Sequence, residues 1–272
     1  MQRVLTAAVG MPLVLAAVFQ LPRAGFFGVV LVVCVAGAVE LARLAVSTGA
    51  GRAAWSLPVF VLLAAPALAR ALNGRIGGES ASWVFGFVIL ATLGTSLAAL
   101  WSRDSVRERA LALGALAFGS LYLALPVVAF DRLRGRDPWL MVLLLAVIWA
   151  TDTGAFLVGR TWGKKKIAAR VSPNKTWEGA VGGLVLGVLA AGLWGAWRLG
   201  GLEPWLLATG ALISTAGQIG DLVESLIKRA AGAKDSGALL PGHGGILDRL
   251  DSLFVGGPVL ELICRFTPLV GS

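Results

Sequence analysis

Long apolar stretches alternate with short polar ones along the whole 272-residue chain. The apolar stretches run approximately over 4–21, 26–46, 53–72, 83–101, 109–130, 138–159, 179–199, 203–227 and 250–268. A helix that crosses a bilayer needs roughly 20 mostly apolar residues, and each stretch comes close to that length. The pattern therefore predicts an all-α, polytopic integral membrane protein with about nine transmembrane helices. The first stretch follows Met1-Gln2-Arg3 and has the look of a secretory leader. No small-residue cleavage site precedes the next stretch, so it reads as a retained first helix. The chain divides into residues 1–137, with about five helices, and residues 138–272, with about four helices and two polar loops that carry motifs.

Composition sharpens this picture. The chain is 57% hydrophobic and only 14% charged, where a soluble domain is about 25% charged. Its 36 glycines suit close helix packing in lipid. Trp55, Trp83, Trp101, Trp139 and Trp205 fall near predicted span ends, where aromatic anchors belong. Cys34 and Cys264 lie inside apolar stretches and read as small packing residues.

The formal charge is +9, and its distribution decides topology. With nine spans, sixteen basic residues fall on the side of the N-terminus and eight on the other. The positive-inside rule then places the N-terminus in the cytoplasm, together with the loops 160–178 and 228–249. No soluble domain is available to hold nucleic acid. The basic excess points instead to anionic lipid headgroups and a polyanionic cytosolic substrate. No internal repeat is evident, which counts against a transporter built from inverted halves.

The segment from Asp221 to Asp251 holds five of the fifteen acids: Asp221, Glu224, Asp235, Asp248 and Asp251. It also holds Lys228, Arg229, Lys234, Arg249 and the lone histidine, His243. Ionisable groups this dense beside a bilayer are costly unless paired, metal-bound or substrate-bound. Asp221, Glu224, Ser225 and Lys228 are spaced to form one polar helical stripe. The glycines that follow allow backbone N–H groups close to phosphate, although turns need glycine too. Asp248 and Asp251 are three apart and can share a helix face. So many acids among the cations make sense if a divalent ion lies between carboxylates and phosphates, and Mg²⁺ suits that donor set. Asp221 and Asp248 are the expected metal ligands. His243 reads equally as a general base, a phosphate donor or a structural donor that pins the loop.

A second polar segment runs S-P-N-K-T-W-E-G from Ser172. Ser172 can cap a helix that has Pro173 at its first position. Lys175, Thr176 and Glu178 would then sit at a helix N-terminus, a ready anion site. The upstream run Arg160, Lys164, Lys165, Lys166 and Arg170 reads as a topology signal or lipid-head contact. Asp152 lies inside the sixth stretch and is expected near the active cavity. Glu40 with Arg43, and Glu261 with Arg265, have the spacing of intrahelical pairs.

These motifs together resemble the phosphatidate cytidylyltransferase (CDP-diacylglycerol synthase) family. The family's signature has the form S-x-x-K-R-x4-K-D-x-G-x2-L-P-x-H-G-G-x-x-D-R-x-D. The chain supplies it with Ser225, Lys228, Arg229, Lys234, Asp235, Gly237, Leu240, Pro241, His243, Gly244, Gly245, Asp248, Arg249 and Asp251. The S-P-N-K-T-W-E-G run also looks like the family, and the sharp matches cover about the last 120 residues. The resemblance implies transfer of CMP from CTP to phosphatidic acid, giving CDP-diacylglycerol and pyrophosphate with Mg²⁺. It implies catalytic roles within Asp221, Ser225, Lys228, Arg229, Lys234, Asp235, His243, Asp248, Arg249 and Asp251. Substrate contacts would come from Asp152, Ser172, Asn174, Lys175, Thr176 and Glu178. The expected setting is a bacterial plasma membrane with the site facing the cytoplasm, and a homodimer is among the assemblies the sequence allows. Two rivals differ in class. A CTP-dependent lipid kinase would move the γ-phosphate, and a transporter would want its ionisable groups near the bilayer midplane. The carboxylate pattern D-G-x2-A-R of the CDP-alcohol phosphotransferases is absent.

Overall fold

Helices occupy the apolar stretches in a computed structural model, which describes residues 2–73, 100, 104–237 and 244–267. In chain order they are α1 (Gln2–Gln20), α2 (Arg23–Ser47), α3 (Leu57–Asn73), α4 (Val106–Arg136), α5 (Pro138–Trp162), α6 (Trp177–Arg198), α7 (Pro204–Ala230) and α8 (Leu247–Ile263). A short 3₁₀ turn, Arg52–Ser56, leads into α3. Among the described residues, six segments are long and apolar enough to cross a membrane: Arg23–Ser47, Arg52–Ala69, Val106–Arg136, Pro138–Trp162, Trp177–Arg198 and Pro204–Ala230. The protein is thus a polytopic helical membrane protein. The expected span at 83–101, with its Trp83 and Trp101, lies almost wholly outside the described residues. The last helix, α8, has 17 residues and is shorter than the six.

Among the described residues, a small antiparallel hairpin, β1 (Lys166–Ala168) with β2 (Ser172–Thr176), interrupts the helices. The expected helix start at Ser172-Pro173 is corrected here. Ser172 pairs with Ala168 and Thr176 with Lys166, so the motif is extended. Proline is tolerated at such an edge because it need not donate to the ladder. The true cap is Thr176, whose Oγ1 accepts from Gly179 N at 3.1 Å. Upstream, Asp137 caps α5 by accepting from Trp139 N at 2.9 Å, with Pro138 in the first turn.

The chain forms two compact units. One comprises Met1–Arg132 and Ile227–Arg249; the other comprises Leu133–Leu226 and Leu250–Ser272. In the first, Arg23 binds Asp131 through two nitrogens at 3.0 and 2.8 Å, joining the start of α2 to α4. In the same unit, buried Leu41 and Leu57 pack against Gly119, and buried Leu123 packs against Gly37. In the second unit, α5 and α6 meet along small residues. A Cβ on Gly154 would lie 2.5 Å from Gly182 O, and one on Gly183 would lie 2.7 Å from Thr151 O. The expectation that glycine serves close helix contact is met here. Arg198 stacks over Trp139 at 5.6 Å and reaches Asp137 at 3.3 Å, while Trp139 meets Trp197 edge-on at 5.0 Å. That cluster ties the end of α6 to the start of α5. The Glu261–Arg265 pair forms as expected, at 3.0 Å, and Arg136 also reaches Glu261 at 3.8 Å.

Gly154→Ala is expected to cost about 1–3 kcal/mol through overpacking. Gly28→Ala meets open space on α2 and is expected to be neutral or stabilising. Thermal denaturation in detergent measures the contrast.

Candidate active site

Two polar clusters emerge from the motif segments, one in each unit. The first is built on α7. Asp221 and Glu224 follow each other by one turn, and Asp251 on α8 joins them, with ligand oxygens all within 4.8 Å of one another. Lys175, at the end of β2, places its ammonium 2.5 Å from Asp221 Oδ2. Ser225 Oγ donates to Asp221 Oδ1 at 3.5 Å. Asp152 on α5 lies within electrostatic reach of Asp221, Lys175 and Asp251. A polar ladder leads to the cluster along α7: Ser214 bonds Thr151 at 2.9 Å, and Gln218 reaches Ser214 Oγ at 3.4 Å and Ala180 O at 3.3 Å. Asp221 of the helical stripe thus meets β2 through Lys175 and lies near Asp152 of α5, whereas Lys228, the stripe's fourth member, pairs with Asp248 instead.

Carboxylates this close repel unless a proton or cation joins them. Three oxygen donors, two from successive turns of α7 and one from α8, match the hard-cation chemistry of Mg²⁺, which takes carboxylate oxygens and leaves positions for water and phosphate. Among the described residues, Asp221, Glu224 and Asp251 form the group with that spacing. Glu224 therefore enters the candidate set, although the sequence reading had placed it only on the stripe.

The second cluster surrounds Asp248, at the first turn of α8. Lys228 Nζ lies 2.6 Å from Asp248 Oδ1, and both side chains are nearly buried. Asp248 Oδ2 accepts from Ser236 N at 2.8 Å, Ser236 Oγ at 3.0 Å and Gly245 N at 2.8 Å. Burial disfavours its charge. The Lys228 bond, followed by the Gly245 and Ser236 N–H groups, outweighs that and holds the carboxyl down at about 2. Asp248 is therefore an ionised anchor of its own loop, which is a different company from the metal role expected of it.

Glu40 is the residue that sequence reasoning placed wrongly. It is fully buried on α2 and does not serve as an Arg43 partner. Its carboxylate accepts from Ser236 Oγ at 2.8 Å, Ile246 N at 3.0 Å and Leu247 N at 3.0 Å. A Cβ on Gly237 would lie 2.5 Å from Glu40 Oε1, and one on Gly245 would overlap Glu40 Oε2. These two glycines make room for a protein carboxylate. The only signal in the sequence was a lone acid in an apolar helix.

The remaining expected residues are placed as follows. Thr176 caps α6, and Glu178 accepts from Lys164 N at 3.0 Å and Lys165 N at 3.2 Å, fixing the turn before the hairpin. Ser172 lies on β2, half-buried, and Asn174 is exposed there. Arg229 bonds Ala233 O at 3.1 Å, while Lys234, Asp235 and Arg249 are exposed. His243 lies outside the described residues, as do Leu240 and Pro241.

Removing Lys228 alone takes the charged partner from a nearly buried carboxylate and leaves it on neutral donors. Lys228→Met is expected to destabilise by about 3–5 kcal/mol, and pairing it with Asp248→Asn to recover part of that loss. Melting of the two variants in detergent measures the difference.

A sequence model of the cytidylyltransferase family matches residues 1–267. A Pseudomonas aeruginosa protein named phosphatidate cytidylyltransferase is 38% identical over 274 residues, covering 96% of each chain. Proteins of the same name from Brucella suis and Bacillus subtilis are 46% identical over 150 residues and 39% over 157. Those alignments cover 54% and 55% of this chain. The chain spans only about half the length of these two relatives, 55% and 57%.

Proposed function

The chain belongs to the cytidylyltransferase family, and on that premise we propose that it transfers a cytidylyl group from CTP to phosphatidate. The products are CDP-diacylglycerol and pyrophosphate. The observation that carries this reading is the Asp221–Glu224–Asp251 cluster with Lys175 against it. It stands in a helical membrane protein whose family match runs nearly end to end. A phosphatidate oxygen forms the new bond to the α-phosphorus of CTP. The bond from that phosphorus to the bridging oxygen of the β-phosphate breaks, and pyrophosphate leaves with the electron pair. A phosphate monoester is already anionic near neutral pH, so no strong base is needed.

The three carboxylates would hold Mg²⁺. When bound, the ion supplies Lewis-acid charge to phosphoryl oxygens. Lys175, held by Asp221, is positioned to donate to a phosphate on the same side. In the other unit, Lys228, held by Asp248, would offer a cation to substrate phosphate, with Arg229, Lys234 and Arg249 as further cations of the same motif. Positioning and electrostatics then account for most of the rate. We place this chemistry at the cytoplasmic ends of the helices in a bacterial plasma membrane. CTP arrives there from solution and the lipid phosphate lies at the interface. The asymmetry of basic residues supports that placement.

CTP labelled at the α- or γ-phosphate, incubated with detergent-purified protein and phosphatidate, tests the reading. The expected outcome is α-label in lipid and γ-label in pyrophosphate. Gamma label in lipid would mean a kinase. Asp251→Asn and Asp221→Asn are expected to lower turnover at least about 100-fold, the scale of losing one electrostatic group in an active site. EDTA is expected to abolish turnover in the unaltered enzyme and excess Mg²⁺ to restore it. A wild-type rate in either variant would remove that carboxylate from the metal set.

A further inference from the structure

Glu40 lies about two hundred residues from the loop it touches, on a helix to which the motifs assign no role. Its position is nevertheless specific. On one face of α2, Gly37 and Glu40 are a single turn apart. Leu247 Cδ2 lies 3.1 Å from where a Gly37 Cβ would be, so the glycine receives that side chain. One turn on, the Glu40 carboxylate accepts the Ile246 and Leu247 N–H groups. Those are N–H groups at a helix start, which no carbonyl of the same helix can satisfy. The first turn of α8 is thus fixed by an apolar contact and a carboxylate, both from α2.

The link continues to Asp248. Ser236 Oγ is 2.8 Å from Glu40 Oε2 and 3.0 Å from Asp248 Oδ2, and the side chain is buried. A hydroxyl has one proton to donate, so it serves one carboxylate at a time and keeps the two in register. Asp248 in turn holds the Lys228 ammonium. Glu40, Ser236, Asp248 and Lys228 are thus linked contact by contact, with the one Ser236 hydroxyl proton alternating between the two carboxylates and the Ser236 N–H held on Asp248.

We propose that Glu40 is a positioning residue for the reaction, holding Asp248 through Ser236 so that the Lys228 ammonium stays aimed at a substrate phosphate. The proposal rests on the reading of Lys228 as a phosphate-neutralising group. Glu40 touches no substrate and acts only through the chain. Because the Ile246 and Leu247 bonds do not need Ser236, the fold-holding and aiming roles of Glu40 can be separated by substitution.

The test uses the full-length protein in mixed micelles of detergent and phosphatidate. Four variants are compared: Ser236→Ala, Glu40→Gln, their combination, and Lys228→Met. Ser236→Ala leaves both N–H bonds to Glu40 in place. It is expected to keep its melting temperature within a few degrees, to lose about 10-fold in kcat and to hold KM for CTP unchanged. Glu40→Gln puts an amide NH₂ among N–H donors, so both stability and kcat are expected to fall. The double variant is expected to be no slower than Glu40→Gln alone, since both lesions break one chain. A wild-type kcat in Ser236→Ala overturns the proposal, whatever Glu40→Gln does to stability. Multiplicative losses in the double variant overturn it too. If Glu40→Gln does not fold, Ser236→Ala alone decides. A wild-type kcat in Lys228→Met sinks the reading of Lys228 itself, an outcome separate from a wild-type Ser236→Ala.

Discussion

A carboxylate inside a helical membrane protein must be given donors, and the arrangement of the motif loop follows from that constraint. Glu40 has no access to solvent, and an unsolvated anion without partners would cost several kcal/mol. Two backbone N–H groups and a hydroxyl meet the need. The loop can approach so closely only because Gly237 and Gly245 carry no side chain. Asp248 obeys the same rule with Lys228, Ser236 and Gly245 as donors. The start of α8 and the Lys228 ammonium are thereby located by two acids rather than by apolar packing alone.

The carboxylates of the α7 cluster are arranged to a different end. Asp221, Glu224 and Asp251 are drawn toward one another instead of being spread among backbone donors. Lys175 offsets part of that charge at Asp221. A grouping of acids that stabilised only the fold would be a poor use of burial, because mutual repulsion opposes it. The two clusters thus contain the same residue types in opposite electrostatic states. Around Asp248 the charge is locally balanced and the geometry is held. Around Asp221 carboxylates are concentrated, an arrangement that suits a bound cation.

Periodicity made the apolar helices and the polar stripe of α7 readable, because both are local and helical spacing is fixed. The stripe of Asp221, Glu224, Ser225 and Lys228 joins its first three members at the α7 cluster, while Lys228 goes to Asp248. The hairpin was hidden because Ser172-Pro173 carries the marks of a helix start. The competing cap, Thr176, carries the same kind of signal four residues later, and pairing with β1 decided between them. Partner choice was not readable. Asp248 and Asp251 have identical chemistry and lie three apart, yet one holds Lys228 and the other joins the α7 acids. Glu40 had a nearer candidate in Arg43, and only tertiary packing brought Ser236 and Leu247 to it.

The glycines of the loop also change the account of how phosphate is recognised. A glycine-rich segment beside lysines suggests backbone N–H groups wrapped around an anion. Here the N–H groups of Ser236, Gly245, Ile246 and Leu247 are directed to Glu40 and Asp248. The anions in this cradle belong to the protein. On the proposed reading, recognition of a substrate phosphate by the described residues of the loop would therefore fall to side-chain cations. The described backbone of the loop is thus committed to the protein's own acids, and Lys228 is held on one of them.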